Sequence, residues 1–187
     1  GGASLTAGSF DVTGTKVIVS DNLTKTGGTL TANTATLKLN QSISIVSNDA
    51  LTFQDLDLNN STLSLGSATS DLTFSNAVTL DHSTEQINAG SASLNLNGGL
   101  TLTDGDVAAN GGTILLGNTS TVATNGIMDV SEGTLVLNSG LSVLGTFKTD
   151  NSTNLTLNNN TLDLSGGQSA TGGVLEAGGA LNLDGIT

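Results

Sequence analysis

Residues 71–81 read Asp-Leu-Thr-Phe-Ser-Asn-Ala-Val-Thr-Leu-Asp, and the pattern in this stretch recurs along the chain. It contains two apolar-polar-apolar steps, Leu72-Thr73-Phe74 and Val78-Thr79-Leu80, separated by three small or amide residues. Alternation with a period of two is typical of a β-strand that buries one face. Small and amide residues between two such steps are typical of a tight bend. The stretch therefore predicts two short strands joined by a corner.

The same unit returns about every 21 residues, so that apolar positions fall into three columns. The first column contains Phe53, Phe74, Leu96, Leu116, Leu137, Leu157 and Leu183; the second contains Leu58, Leu80, Leu102, Val122, Val143 and Leu164; the third contains Leu65, Ile87, Val107, Ile127, Phe147 and Val174. A constant step of this size indicates stacked turns of a solenoid.

We therefore predict an all-β fold, a right-handed single-stranded parallel β-helix (β-solenoid). It should have three short strands per coil, about 21 residues per coil and roughly nine coils, and the right-handed sense follows the rule for β-crossover-β connections. An antiparallel β-sandwich would explain the alternation but not the constant step. Residues 1–187 are expected to form a single β-helix domain, a fragment of a longer repetitive protein. The Gly-rich stretch 165–173 lengthens the last step of two columns, which indicates a loop insertion.

Composition excludes several classes of function. The net charge is −12, from 16 acidic residues and 4 basic ones, so the chain lacks the basic groups that bind nucleic-acid phosphates. No apolar run is long enough to insert into a membrane. Cysteine is absent, which excludes disulfides and thiolate metal sites.

Two pairs of acids carry the available chemistry. Asp55 and Asp57 flank Leu56, and Asp104 and Asp106 flank a glycine in a predicted corner. Paired carboxylates can act as the acid and base of a glycosidase or hold Ca²⁺. Carbohydrate sites generally also need cationic or aromatic partners, and the chain has no Arg, Trp or Tyr. We therefore predict no catalytic residue, no cofactor-binding residue and no cofactor, with Ca²⁺ at Asp104 and Asp106 as the alternative.

Residues at outward positions predict an ion pair between coils and an apolar contact patch, and they argue against an ice-binding face. Lys38 lies one coil before Asp57 in the same register, which predicts an ion pair between coils. The outward positions beside the first column are Thr52, Thr73, Asn95, Leu115, Val136 and Thr156. This series breaks the regular threonine array of an ice-binding face, but it stacks Leu115 on Val136 and predicts a small contact patch. The single histidine, His82, is predicted to be a solvated turn residue.

Residues 71–81, together with Leu94-Asn95-Leu96-Asn97-Gly98-Gly99-Leu100-Thr101-Leu102, resemble the repeats of filamentous-haemagglutinin-like adhesins and autotransporter passenger domains of bacteria. The resemblance implies a secreted, cell-surface structural and adhesive rod without catalysis, the stalk or fibre of an adhesin. Its partners would be a host or neighbouring-cell surface protein or glycan, or copies of itself, and not nucleic acid. The alternatives are a self-assembling extracellular filament or sheath subunit, and a carbohydrate-active β-helix enzyme.

Overall fold

The computed structural model describes residues 3–6, 9–12, 14–66, 71–164, 174–176 and 181–182. Within these ranges the chain is all-β, and neighbouring strands in each sheet are parallel. The predicted loop 165–173 and the last member of the first column, Leu183, lie outside the described residues.

The strands are short, with two exceptions in the middle of the chain. In order they are β1 Ala3–Leu5, β2 Ser9–Asp11, β3 Lys16–Val19, β4 Leu23–Lys25, β5 Thr29–Thr31, β6 Thr36–Leu39, β7 Ile43–Ser47, β8 Leu51–Phe53, β9 Asp55–Asp57, β10 Thr62–Leu65, β11 Leu72–Phe74, β12 Val78–Leu80, β13 Gln86–Asn88, β14 Ser93–Leu96, β15 Leu100–Ala108, β16 Thr113–Leu116, β17 Ser120–Asp129, β18 Thr134–Leu137, β19 Leu141–Val143, β20 Thr146–Lys148, β21 Asn154–Thr156, β22 Leu162–Asp163, β23 Val174–Glu176 and β24 Leu181–Asn182.

The parallel sheets stack as a β-solenoid of about seven turns, with about 21 residues per turn. One side is a seven-stranded sheet that runs from β8 to β23 and takes one strand from each turn. Roughly nine turns were expected. The predicted count was therefore slightly too high. Near the start of the chain β2 and β5 pair only with each other, while β1 and β4 belong to the twelve-stranded sheet. The right-handed sense of the winding stays a prediction.

The first predicted column is a file of paired residues from Phe53 to Leu137, and the second is one from Leu80 to Val143. In the first, Phe74 pairs with Phe53 on one side and Leu96 on the other, and the phenyl rings of Phe53 and Phe74 stack with centroids 6.2 Å apart. In the second, Leu102 pairs with Leu80 and Val122. These six side chains are at most 1% exposed, so aliphatic and phenyl groups fill the interior as predicted.

The third column was wrong at three positions. Ile87 pairs with Leu63 rather than Leu65, two residues away on the same face of β10. Val107 pairs with Met128 rather than Ile127, because the register between β15 and β17 shifts after Leu102. Another member, Val174, belongs to the seven-stranded sheet, where it pairs with Asn154. Alternation alone cannot detect a shift of two residues, and it gives no sign of an irregularity in a neighbouring strand.

Three strands per coil is correct for some turns but not for the two in the middle. In these turns β15 and β17 each continue through the corner between the second and third columns. One bent strand therefore forms two sides of the turn. Gly105 makes the bend in β15 at a φ of 92°, and a Cβ at this position would lie 2.4 Å from the carbonyl oxygen of Glu85. The predicted corner at Asp104-Gly105-Asp106 is therefore a strand that bends without leaving its sheet.

Side chains at equivalent corners bond to one another from turn to turn. The Asn158 amide donates to the Asn138 side-chain oxygen at 2.9 Å, and the Asn110 amide donates to that of Asn88 at 3.1 Å. Asn110 and Asn158 adopt positive φ, which asparagine tolerates better than most residues. Asparagine thus both makes the bend and links it to the bend below.

Candidate functional site

The acid pair of β9 is engaged in contacts between turns. The Asp57 carboxylate accepts from the Lys38 ammonium at 2.5 Å, which confirms the predicted ion pair. The Asp55 carboxylate accepts from the Asn76 side-chain amide at 2.9 Å, and Leu56 between the two acids packs on the core. Each carboxylate therefore already has a partner on an adjacent turn, and these contacts stabilise the stacking of the turns.

The second acid pair lies on β15, where its two members have different surroundings. The Asp104 carboxylate accepts from the backbone N–H of Gly105 at 2.8 Å. The Oδ1 atom of Asp106 is buried and has no hydrogen-bond partner. Burial raises the pKa of Asp106; the Lys148 ammonium opposes the rise, and the Asp129 carboxylate adds to it. Asp129 itself forms an ion pair with Lys148 at 3.4 Å.

Calcium at Asp104 and Asp106 stays a prediction. Among the residues with described positions, no group of three or more His, Cys, Asp or Glu side chains could hold a metal ion. A Ca²⁺ ion takes six to eight oxygen ligands. Backbone carbonyls and water would therefore have to supply most of the ligands at this pair.

The role of Glu85, whose side chain is 6% exposed, was not predicted from the sequence. Its carboxylate accepts from the backbone N–H of Asn60 at 3.2 Å and of Asp81 at 2.9 Å. Asn60 belongs to the preceding turn, where it has a φ of 62°. Glu85 therefore holds one corner against the next, and a single acid in a polar turn carries no pattern that predicts this.

His82 lies in the same corner and is exposed, as predicted. The backbone N–H of Thr84 donates to the Nδ1 atom of His82 at 3.3 Å. The hydroxyl of Thr84 donates in turn to the carbonyl oxygen of Asn60 at 3.0 Å. The ring therefore takes part in the hydrogen bonding of a surface turn.

Asp150 makes similar contacts at a corner near the C-terminal end of the described turns. Its carboxylate accepts from the backbone N–H groups of Glu132 and Ser152, both at 2.9 Å, and from the Thr153 hydroxyl at 3.0 Å. These bonds, the one from Glu132 foremost, hold the pKa of Asp150 below its usual value. Glu132 has a φ of 61°, so an acid again stabilises a strained corner in the preceding turn.

A cavity of about 780 Å³ lies among the first turns. Its apolar lining includes Leu5, Val17, Leu30 and Phe53. Lys25 also lines it, but the side chain is 2% exposed and its ammonium is paired with the Asp49 carboxylate. The lining also includes the exposed residues Lys16, Ile18 and Ser20, so the cavity opens to the surface, and its buried cation is paired with an acid.

The outer side of the seven-stranded sheet carries no charge over most of its length. We call the side chains on this surface the uncharged face. The face consists of two files, Thr52, Thr73, Asn95, Leu115, Val136 and Thr156 in one and Ser93, Thr113, Thr134 and Asn154 in the other. Apart from the exposed Asn154, all are half-buried because each side chain is flanked by its neighbours on adjacent turns. Asp71 is in register with Ser93 on this side, so the stretch in which both files are uncharged spans the four turns from β14 to β21.

Leu115 and Val136 occupy the middle of the uncharged face. They are paired in register on β16 and β18, so the structure places them side by side as the sequence predicts. Asn95 precedes them and Thr156 follows them in the same file. Whether the pair contacts a partner stays a prediction.

Comparisons with protein-family models, with curated proteins and with solved structures find no match to this chain. Across the ranges described above, no helix is long and apolar enough to cross a membrane.

Proposed function

We propose that the chain is a structural and adhesive rod, exposed on a bacterial surface, in which stacked coils carry the binding surface and no catalysis takes place. The observation that supports this proposal is the seven-stranded ladder from β8 to β23, in which each turn bonds to the next in the same register. Parallel strands are about 4.8 Å apart. Each unit of about 21 residues therefore extends the rod by one strand spacing.

The contacts of the polar groups support a mechanical role. Glu85, Asp150 and the ion pair of Lys38 with Asp57 each join one turn to a neighbouring one. The two acids that best fit a glycosidase pair, Asp55 and Asp57, are engaged in the same way. A rod needs resistance to bending and separation of its turns, and these contacts contribute to both.

Adhesion by the coils is tested with beads that carry the purified chain. We expect beads coated with the chain to be retained on cultured epithelial or bacterial cells several-fold more than beads coated with serum albumin, which is also acidic. Soluble chain should compete with the beads, because both present the same repeated surface. Retention equal to that of albumin, or retention that soluble chain does not reduce, would contradict the adhesive role.

Exposure on the cell surface requires a separate experiment. Antibodies raised against the folded chain should label intact cells of the source as strongly as permeabilised cells. Labelling that appears only after permeabilisation would contradict the proposed location. It would leave the structural role of the rod to be tested by its mechanical stability.

A further inference from the structure

We propose that Asn97 is a modification site, at which the folded chain deamidates its own asparagine and converts it to aspartate and isoaspartate. In the first step the backbone nitrogen of Gly98 attacks the side-chain carbonyl carbon of Asn97. A new C–N bond closes a succinimide ring, the bond to the side-chain nitrogen breaks, and that nitrogen leaves with the displaced proton as ammonia. Water then opens the ring on either side of the backbone nitrogen, so the reaction needs no oxidant, metal or partner.

Asn-Gly occurs three times in the chain, at residues 97–98, 110–111 and 125–126. Glycine after the asparagine favours the attack because it has no side chain that would hinder it. The dipeptide alone therefore ranks the three pairs equally. The structure places them in three different backbone conformations, and these differ in how near they bring the glycine nitrogen to the asparagine side chain.

Asn97 and Gly98 are the central residues of a tight turn. The backbone N–H of Gly99 closes this turn by donating to the carbonyl oxygen of Leu96 at 3.0 Å. Neither central residue has a positive φ, so the turn is of type I and Asn97 has a right-handed conformation. This conformation brings the next backbone nitrogen closer to the side chain than a left-handed or an extended one does. Asn97 is exposed, and among the described residues no hydrogen bond holds its amide or the backbone N–H of Gly98.

The other two Asn-Gly pairs are held in less favourable conformations. Asn110 has a φ of 47° and Gly111 a φ of 91°, which is a left-handed turn that directs the glycine nitrogen away from the side chain. The Asn110 amide also donates to the Asn88 side-chain oxygen at 3.1 Å. Residues 125–126 lie within β17 and are paired in register with β15, so the sheet must open locally before the attack. We therefore expect Asn97 to react first.

The two products should affect the fold differently. Aspartate keeps the main chain unchanged and adds a negative charge at an exposed position. Isoaspartate carries the main chain through the former side chain and lengthens it by a methylene group. The adjacent turns leave no room for this group, since a Cβ at Gly98 would lie 2.1 Å from the carbonyl carbon of Asn76, and a Cβ at Gly117 would lie 2.7 Å from the Cα of Asn97. Isoaspartate should therefore loosen the stacking of turns at this corner.

In the experiment the folded chain is kept at pH 8 and 37 °C, and samples are treated with hydroxylamine, which cleaves the chain at a succinimide. Mass spectrometry then distinguishes the fragments that end at each of the three asparagines. We expect the succinimide to form at Asn97 at least about fivefold faster than at Asn110, whose amide is hydrogen-bonded, and at least about tenfold faster than at Asn125. In concentrated urea the three rates should become similar, because the backbone conformations are lost.

Asn97→Gln is the matched control, because its longer side chain disfavours closure of the ring. It should lose cleavage at this position and keep the rates at Asn110 and Asn125. Equal rates at the three asparagines of the folded chain, or no succinimide at Asn97, would overturn the proposal.

The effect on stability is measured separately. Asn97→Asp should unfold at the same urea concentration as wild type, whereas the aged chain that an isoaspartyl methyltransferase labels should unfold at a lower one. Equal midpoints for these two would overturn the predicted loosening of the corner. The reaction involves no partner, so these outcomes do not bear on adhesion to cells, which the bead experiment measures.

Discussion

Asp106 and Asp150 are carboxylates of the same chemical type whose surroundings shift their pKa values in opposite directions. The Oδ1 atom of Asp106 is buried without a hydrogen-bond partner, so its charged form is disfavoured. Asp150 accepts hydrogen bonds from two backbone N–H groups and a hydroxyl, so its charged form is favoured. Folding should therefore depend on pH in opposite ways at these two residues.

For Asp106, the pKa in the folded protein lies above the unfolded value, so folding favours the protonated acid. The destabilisation is absent below the unfolded pKa, increases as the pH rises, and is complete above the folded pKa. We expect Asp106→Asn to raise the free energy of unfolding at pH 7 by about 1 kcal/mol, since an amide costs less to bury than a carboxylate. Urea unfolding at pH 7 and pH 4 measures this, with Asp71→Asn at an exposed position as the control. A gain that is equal at both pH values would contradict the assignment.

For Asp150, the folded pKa lies below the unfolded value. Its stabilisation is complete above the unfolded pKa and is lost as the pH falls through the folded pKa. Asp150→Asn should therefore lower the free energy of unfolding at pH 7 and have little effect once the pH is below the folded pKa. Urea titrations that extend from pH 7 to a pH below the folded pKa of Asp150 test this prediction, and a loss that is constant across that range would count against it.

At the scale of the element, the turns depend on corners where neighbouring backbones come very close. A Cβ at Gly98 would lie 2.1 Å from the carbonyl carbon of Asn76 in the preceding turn. Gly140 lies in an equivalent corner, where the nearest atom to a Cβ is the carbonyl oxygen of Thr161 at 3.8 Å. Alanine substitutions at these two glycines therefore separate the effect of a close backbone contact from the effect of replacing a corner glycine.

We expect Gly98→Ala to destabilise the protein by about 2 kcal/mol or more, because backbone atoms would have to move apart. The control Gly140→Ala should change the stability by less than about 0.5 kcal/mol, since the added methyl group meets only an ordinary contact. Thermal unfolding followed by circular dichroism compares the two variants. Similar melting temperatures for the two would show that the corners are not packed as described.

The elements differ in how far the sequence could predict them. Strands and the first two columns follow from alternation, since Phe74 and Leu102 pair with the residues that a constant step selects. The third column failed at Met128 because the register shifts between neighbouring strands. Glu85 was missed for another reason: its partner, the backbone of Asn60, is 25 residues away and leaves no mark on side-chain patterns.

At the scale of the whole molecule, stability should be a sum over turns and the contacts between them. Leu96 and Leu116 are equivalent positions in adjacent turns. Deletion of residues 97–116 therefore removes one complete turn and leaves the files in register. Deletion of residues 97–106 removes about half a turn and turns inward-facing residues outward.

We expect the chain that lacks residues 97–116 to keep a β-sheet circular dichroism spectrum and to unfold cooperatively at a somewhat lower urea concentration. The chain that lacks residues 97–106 should lose cooperative unfolding, because its strands cannot stack on their equivalents. Equal behaviour of the two deletions would mean that the turn is not the unit of the fold.

Parallel stacking of equivalent positions defines the fold, and engineered cysteine pairs can measure it directly because the chain has no native cysteine. Thr101 pairs with Thr121, and Thr121 pairs with Ser142. Residues at 101 and 121 are therefore one strand spacing apart, about 4.8 Å, which a disulfide can bridge, whereas residues at 101 and 142 are two spacings apart and out of range. We predict rapid and complete oxidation of the Thr101→Cys/Thr121→Cys chain and none within the Thr101→Cys/Ser142→Cys chain. The reverse result, or no bond in either chain, would contradict the stacked solenoid.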